Sequence, residues 1–197
     1  APVTTASPAG GTYSSAQSVT LSTELLAVIY YRTDGSAPTG LVGEIYTTPI
    51  AITTTTTLKY FAKDLAQNPE TVQSQTYTID TSGPAGTIAV SGSGGVTITN
   101  TTSVTLTLSA SDANGVAQMK FSNYNDESSW SSAVAETYAT TKAWTLTTGD
   151  GSKTVYVKFK DTLGNWSSAY SASITLDTIA PVTTASPAGG TYSSAQS

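Results

Sequence analysis

The chain has 197 residues, of which 38% are hydrophobic and only 11% charged, and its formal net charge is −5. It contains no cysteine and no histidine, which excludes zinc fingers, disulfide frameworks, iron–sulfur clusters, haem ligation by histidine and a Ser-His-Asp triad. Eight basic residues against thirteen acidic ones argue against electrostatic binding of nucleic acids, and no apolar run approaches the roughly 18 residues of a membrane span.

A repeat organises the sequence. Residues 1–18, APVTTASPAGGTYSSAQS, recur without a mismatch as residues 180–197. This identity predicts one full unit of a tandem array followed by the start of the next unit. Both ends of the chain are then expected to lie inside a longer array, where neither a signal peptide nor an anchor would be visible.

A weaker sequence similarity divides the repeat unit into two parts. The stretch LKYFAKDLAQN at residues 58–68 resembles VYVKFKDTLGN at 155–165. The connector IDTSGP at 79–84 resembles LDTIAP at 176–181, so the pattern Asp-Thr-x-x-Pro begins at Asp80 and at Asp177. Proline soon after a final strand restricts the backbone, so a stiff joint is expected. The predicted domains are residues 1–81, residues 82–179, and the opening of a third at residues 180–197.

Apolar residues alternate with serine and threonine along most of the chain, which is typical of strands with one buried face. In chain order, these inward positions are Val19 and Leu21; Val104, Leu106, Leu108 and Ala110; Ala117, Met119 and Phe121; Val155, Val157 and Phe159; and Ile174 and Leu176. Threonine is β-branched and suits a pleated surface, so the run of residues 55–57 before Leu58 also indicates a strand.

Turn signals such as Asp34-Gly35 and Asn114-Gly115 separate these runs. No helical period is evident, and Glu24-Leu25-Leu26 supplies one helical turn at most. Six to eight short strands in each 80–100 residues predict an all-β fold. We expect two tandem immunoglobulin- or fibronectin-like antiparallel β-sandwiches with Greek-key connections, plus the first strand or strands of a third.

The first module resembles the domain family named after the C-terminal domain of chitobiase and β-hexosaminidase. The resemblance covers most of residues 8–80, through GGTY at 10–13, SVTLS at 18–22, IYYRTDGSAPT at 29–39 and TLKYFA at 57–62. The second module looks like a bacterial immunoglobulin-like repeat, mainly through KFKD at 158–161 and GNWS at 164–167. These resemblances imply a secreted bacterial multidomain protein in which such domains are spacers or adhesive modules, and they carry no catalytic residues.

Acidic residues beside turns suggest calcium, which takes six to eight oxygen ligands. The candidate ligands are Asp80, Asp112, Asn114 and Asp177, while Asp64 and Asp161 head two Asp-x-x-x-Asn loops. The alternative is that these side chains only accept backbone N–H bonds in turns. The sequence has no dense D-x-D-x-D calcium loop, so no cofactor is otherwise expected.

Aromatic residues suggest a second kind of site, a stacking platform for sugars. Trp130 and Trp166 are flanked by serine and are expected to be half exposed, whereas Trp144 lies in a strand-like run and is expected in the core. The alternative is that both candidate rings pack within the domain.

An enzyme is not predicted. The acidic residues are spread over separate turns, and the only adjacent pair, Asp126-Glu127, would face opposite ways on a strand or be solvated in a loop. A sealed sandwich also lacks an obvious cleft.

The function expected from the sequence is structural: an extracellular or cell-surface, secreted tandem-repeat protein that forms a stalk or filament. A lone first strand, as at residues 180–197, leaves backbone groups unpaired, so pairing with adjacent repeats or with other copies of the protein is expected. The alternative is an adhesin module that binds glycans or a cell surface. Neither nucleic acid nor a membrane-spanning segment is expected.

Overall fold

The computed structural model describes residues 1–24, 26–92 and 96–184. The chain divides into two compact units. Unit 1 comprises residues 1–84, 112–116 and 160–167, and unit 2 comprises residues 85–111, 117–159 and 168–197.

Eight strands belong to the first half of the chain. They are β1 Thr5–Ser7, β2 Gly11–Tyr13, β3 Gln17–Ser22, β4 Val28–Arg32, β5 Glu44–Ile45, β6 Ile50–Ile52, β7 Thr56–Lys63 and β8 Gln73–Ile79. They form two sheets with the orders β1-β3-β6 and β2-β8-β7-β4-β5. Every pairing is antiparallel except β2 with β8, which run parallel.

Eight further strands and a short helix follow. They are β9 Ala85–Ser91, β10 Ile98–Thr99, β11 Ser103–Ser111, β12 Val116–Ser122, α1 Glu127–Ser132, β13 Glu136–Thr137, β14 Thr141–Thr145, β15 Gly151–Asp161 and β16 Tyr170–Leu176. The sheets have the orders β9-β11-β14 and β10-β16-β15-β12-β13, again with one parallel pair, β10 with β16. Each strand of the first half therefore has a counterpart eight strands later in the same sheet position.

The core of unit 1 draws on both of its sheets, which makes it a sandwich. Val19 and Leu21 of β3 pack with Leu58 and Tyr60 of β7 and with Tyr77 of β8, all of them buried. Each sheet contributes one face to this core, because period-two strands present their apolar side chains to one side only.

Unit 2 is built in the same way. Its buried side chains alternate along β11, β12, β15 and β16, at Val104, Leu106, Leu108, Met119, Phe121, Val155, Val157, Phe159, Ile174 and Leu176. These include nearly every inward position predicted from the sequence. The all-β prediction with immunoglobulin-like sandwiches is confirmed, and the parallel pairs β2–β8 and β10–β16 refine the predicted antiparallel pattern.

Helix α1 was not predicted. Asp126 precedes it as N-cap, and its carboxylate accepts the N–H of Ser129 at 2.8 Å, which satisfies one of the free donors of the first turn. The helical turn considered at Glu24-Leu25-Leu26 includes Leu25, which lies outside the described residues, and Leu26 has a φ of 67°, outside the helical region. The start of a third module was predicted for residues 180–197. Residues 180–184 form no strand, and residues 185–197 lie outside the described part of the chain.

Candidate functional site

An acidic cluster lies in unit 1 where three strands end. Asp80 follows β8, Asp112 follows β11, and Asp161 is the last residue of β15. One carboxylate oxygen from each of the three residues lies within 4.8 Å of the others. Three carboxylates at this spacing repel one another, so the cluster favours a bound cation.

Asp161 is held by the loop that follows it. Its carboxylate accepts the N–H groups of Gly164 at 2.7 Å and Asn165 at 2.8 Å, and the amide Nδ2 of Asn165 at 2.9 Å. The side chain is buried, with 1% of its surface exposed. A buried carboxylate is tolerated because these donors replace its water shell.

The other two carboxylates are positioned by turns. Asp112 accepts the N–H of Asn114 at 2.8 Å, and a positive φ of 78° at Gly115 lets the chain reverse into β12. Asp80 accepts the N–H of Ser82 at 2.9 Å and is also contacted by the Asn114 amide. The backbone carbonyl of Asp80 accepts Nδ2 of Asn165 at 2.9 Å. These bonds fix the carboxylates relative to one another within unit 1.

Three of the four predicted calcium ligands, Asp80, Asp112 and Asn114, are thus brought together. The fourth, Asp177, is not part of this cluster. It lies in unit 2, where its carboxylate accepts the N–H of Ile179 at 3.2 Å and its own N–H donates to Thr99 at 2.9 Å. Asp161, which the sequence marked as the head of an Asp-x-x-x-Asn loop but not among the four candidate ligands, is the third carboxylate of the cluster.

A second Asp-x-x-x-Asn loop in unit 1 begins at Asp64, whose side chain is less buried than that of Asp161. Asn68 donates its N–H and its Nδ2 to the carboxylate of Asp64 at 2.8 and 2.9 Å. These bonds from Asn68 lower the pKa of the Asp64 carboxyl below its usual value. In both loops the aspartate carboxylate therefore accepts N–H groups of its own turn. Of these two aspartates, Asp161 alone belongs to the acidic cluster.

Trp130 does not offer an open ring. It is on helix α1 in unit 2 with 5% of its surface exposed, and its Nε1 donates to Asn125 at 2.9 Å. The amines of Lys120 and Lys158 lie 5.6 and 4.7 Å from its ring centre, a cation–π arrangement. The expectation that Trp130 is half exposed is wrong, because the unpredicted helix turns the ring inward.

Trp166 and Trp144 are both half buried. In unit 1 the amine of Lys160 lies 5.6 Å from the ring centre of Trp166. In unit 2 Trp144 donates its Nε1 to Asn123 at 3.0 Å and packs at 5.5 Å against Phe121. Trp144 is therefore only partly in the core, and it lines an open cavity of about 230 Å³ together with Val134, Glu136 and Lys142.

A second open cavity lies in unit 1, in the part of the sequence that carries the family resemblance. Arg32, Thr33, Asp34, Gly43 and Glu44 line about 390 Å³. The ion pair and hydrogen bond with Arg32 hold the pKa of the Asp34 carboxyl well below its usual range. The hydrogen bond from the Tyr31 hydroxyl to Glu44, at 2.6 Å, raises the pKa of Tyr31 to about 12. The arrangement is an exposed network of charges and hydroxyls.

Comparison with protein families gives a match to part of unit 1. The model of the family described as Chitobiase/beta-hexosaminidase C-terminal domain matches residues 8–76, which confirms the resemblance predicted for the first module. No curated protein sequence matches the chain.

The solved structures that the chain resembles are distant from it in sequence. The fibronectin(III)-like modules of Clostridium thermocellum CbhA are 14% identical, with a TM-score of 0.40, covering 88% of this chain and 94% of that one. The D00-D0 domain of intimin is 11% identical, with a TM-score of 0.38, covering 90% and 100%. A tetra-tandem repeat in the extending region of a large adhesion protein is 19% identical, with a TM-score of 0.28, covering 90% of this chain and 49% of that chain.

None of the helical segments in the described ranges has the length and apolarity of a bilayer-crossing helix.

Proposed function

We propose that this chain is a structural repeat of an extracellular or cell-surface protein, a passive building block of a stalk or filament. The observation that carries the proposal is repetition at two levels. Residues 1–18 recur as residues 180–197, and the strand order of the first half recurs in the second. Sandwiches with the same strand order in series give a protein whose length is set by the number of copies.

The composition agrees with this role. Without cysteine, the fold depends on burial rather than on redox state. The outward faces of the strands carry serine and threonine, as in the hydroxyl contacts Thr5–Ser22 at 2.8 Å and Thr154–Ser173 at 2.9 Å. Catalysis is not part of the proposal. The two described cavities are open, and the carboxylates of the acidic cluster accept hydrogen bonds from backbone N–H groups in turns.

Electron microscopy of the native material tests the proposal. The expected result is slender fibres or stalks with a regular spacing that corresponds to one repeat unit, residues 1–179. Discrete compact particles, together with turnover of a chemical substrate, would overturn the structural role.

We also propose that a hard divalent cation, calcium for preference, can bind at the acidic cluster of unit 1. The carboxylates of Asp80, Asp112 and Asp161 lie within 4.8 Å of one another, and carboxylate oxygens are the ligands that calcium takes. The cation would relieve the repulsion among three negative charges and stabilise the folded state by mass action.

A matched pair of variants tests the calcium proposal. Asp112→Asn removes a charge from the cluster, whereas Asp177→Asn removes one from a similar turn outside it. Millimolar calcium should raise the melting temperature of the Asp177→Asn variant as it does that of the unmodified chain, and should have a much smaller effect on Asp112→Asn. Equal responses to calcium and to magnesium in all three proteins, or no response in any, would contradict a calcium site here.

The alternative function is a glycan- or cell-surface-binding adhesin module. The observation that favours it is the cavity at Trp144, where an aromatic ring stands beside the Lys142–Glu136 ion pair at 2.6 Å. An aromatic face with a few polar groups is the chemistry that binds sugars. A glycan array probed with the chain and with Trp144→Ala and Trp166→Ala variants separates the two tryptophans. Binding lost only in Trp144→Ala would support this site, and an array without signal would remove the alternative.

A further inference from the structure

The outward face of the five-stranded sheet in unit 1 combines basic and apolar side chains. Inward positions of its central strands, such as Ile29 of β4 and Tyr60 of β7, are buried in the core. Because side chains alternate along a strand, the residues next to them point away from the core. We call this surface the basic sheet face, and it consists of Tyr30, Arg32, Ile45, Lys59, Phe61 and Lys63.

An apolar row crosses three strands of the basic sheet face. Ile45 of β5 lies opposite Tyr30 of β4, and Tyr30 lies opposite Phe61 of β7. The rings of Tyr30 and Phe61 stack with their centres 5.4 Å apart. Phe61 is buried, Tyr30 is half-buried and Ile45 is 57% exposed. The row therefore offers apolar surface to a partner through Ile45 and Tyr30.

Cations lie on both sides of this row. Arg32 and Lys59 are register partners on one side, and Lys63 lies opposite Val28 on the other. Arg32 forms an ion pair with Asp34. Within the described part of the chain, no carboxylate oxygen lies within 4.0 Å of the amine of Lys59 or Lys63. These two lysines are four residues apart on one strand, which corresponds to about 13 Å.

The charge of the basic sheet face is opposite to that of the chain. The chain has a net charge of −5, yet all three basic residues of the first 84 positions, Arg32, Lys59 and Lys63, belong to this face. A basic patch on an acidic protein attracts an anionic partner and disfavours a second copy with the same net charge. The charge pattern thus favours an anionic partner of another kind.

Unit 2 covers the equivalent face with its own chain. Lys120 of β12 and Lys158 of β15 alternate with buried residues, and their amines lie 5.6 and 4.7 Å from the ring centre of Trp130 on helix α1. This helix lies in the connection between β12 and β13. The corresponding connection in unit 1, residues 33–43, is described in full and contains no helix. The place that a ring occupies above the lysines in unit 2 is thus left to a partner in unit 1.

We propose that the basic sheet face of unit 1 binds an acidic polysaccharide, a chain of sugar rings that bears carboxylate groups. Its carboxylates pair with the amines of Lys59 and Lys63, and the apolar side of a sugar ring between them lies on Tyr30 and Ile45. Duplex DNA fits less well, because each strand carries a phosphate every ~3.4 Å and most of these would have no cation here. Such binding adds to the proposed structural role and does not use the cavity at Trp144.

Three variants that each remove one positive charge test the assignment. Lys59→Gln and Lys63→Gln change the basic sheet face, whereas Lys153→Gln changes unit 2, where the lysine amine donates to the carbonyl of Thr148 at 3.1 Å. Affinity electrophoresis of the full chain in gels that contain polygalacturonate measures binding at low ionic strength. The dissociation constant should rise about fivefold for each variant of the face and stay within about twofold for Lys153→Gln.

Equal losses in all three variants would reduce the effect to net charge and overturn the assignment. A loss in Trp144→Ala with binding intact in Lys59→Gln would also overturn it, because binding would then lie at the cavity of unit 2. An unmodified chain that is not retarded by polygalacturonate would remove the proposed face. Regular fibres from the native material beside that result would leave the structural role intact.

Variants of the apolar row separate sugar binding from simple ion exchange. Tyr30→Thr keeps every charge and a β-branched residue in the strand, and it should weaken polygalacturonate binding about threefold with the same salt dependence. Tyr30→Phe keeps the ring and should bind as the unmodified chain does. If Tyr30→Thr fails to fold, Ile45→Thr at the exposed end of the row replaces it. Unchanged binding in the folded variant would contradict a role for the row.

Two other polymers test the class of partner. Dextran, which has sugar rings without charge, should not retard the chain, and duplex DNA at equal charge concentration should bind about tenfold more weakly than polygalacturonate. Binding of dextran equal to that of polygalacturonate would exclude a role for the two lysines. Binding of DNA as tight as that of polygalacturonate would replace the polysaccharide with a nucleic acid and overturn the proposal.

Discussion

The two halves of the chain place their strands in the same order but fill the equivalent core position with side chains of very different size. Ala62 in β7 and Phe159 in β15 each stand two residues before the aspartate of an Asp-x-x-x-Asn loop, and both are fully buried. Phe159 contacts Tyr138 and Tyr170, each at 5.9 Å. The carbonyl of Ala62 instead accepts the N–H of the buried Glu70 at 2.8 Å. One strand order thus accommodates an aromatic cluster in unit 2 and a buried carboxylate in unit 1.

The largest effect should come from removing the aromatic cluster. Phe159→Ala places in unit 2 the residue that unit 1 has naturally, but without the surroundings that fit it. We expect a loss of about 3–5 kcal/mol in the free energy of unfolding, from lost burial and a residual cavity. Urea denaturation followed by tryptophan fluorescence measures it, with Phe159→Leu as the control that keeps most of the volume. A loss below about 1 kcal/mol would mean that unit 2 can repack as unit 1 does.

The next largest effect is a difference between the two aspartate loops in the free energy of unfolding lost when the aspartate is replaced. Asp161→Ala leaves the N–H groups of Gly164 and Asn165 without their acceptor in a buried setting, at a cost of about 2–3 kcal/mol. In the matched variant Asp64→Ala, water can replace the carboxylate, so the loss in free energy of unfolding should be clearly smaller. Denaturation of both variants in calcium-free buffer provides the comparison, and equal losses would show that burial does not distinguish the loops.

The smallest effect concerns alkaline pH and unit 1. Burial raises the pKa of Tyr77 to about 12, and the hydrogen bond to Glu44 raises that of Tyr31 to about 12. A tyrosine whose pKa is higher in the folded state favours folding below pH 10, and this contribution disappears as the pH rises from 10 to 12. For Tyr77 it amounts to about 1 kcal/mol after allowance for solvent screening.

The Tyr77→Phe variant tests the origin of this pH dependence. It should be less stable at neutral pH, because the bond to Pro8 is lost, and it should lose less stability between pH 10 and 12. A variant with the same alkaline slope as the unmodified chain would assign the pH dependence to other groups.

The sequence predicted the strands well because the relevant signal is local. Alternation at Val104, Leu106 and Leu108, or at Val155, Val157 and Phe159, follows from the two faces of a single strand and needs no knowledge of its neighbours. The parallel pairing of β2 with β8 could not be predicted in this way, since it depends on which strands meet after the chain has folded.

The candidate sites were predicted less completely, for two physical reasons. Helix α1 is short, and its signal is the N-cap Asp126 with Ser129 three residues on, which a search for helical periodicity does not detect. Because the helix was not predicted, Trp130 was wrongly expected to be half exposed. Asp161 joined Asp80 and Asp112 only through tertiary structure, because residues far apart in sequence reveal their proximity only in the fold.

The hydroxyl contacts between neighbouring strands have a consequence for the environments that the protein can tolerate. Pairs such as Thr5–Ser22 and Thr154–Ser173 are neutral, so the attraction between them is not screened by dissolved ions. The contribution of these pairs to the stability of the fold should therefore be nearly the same in fresh water and in brine.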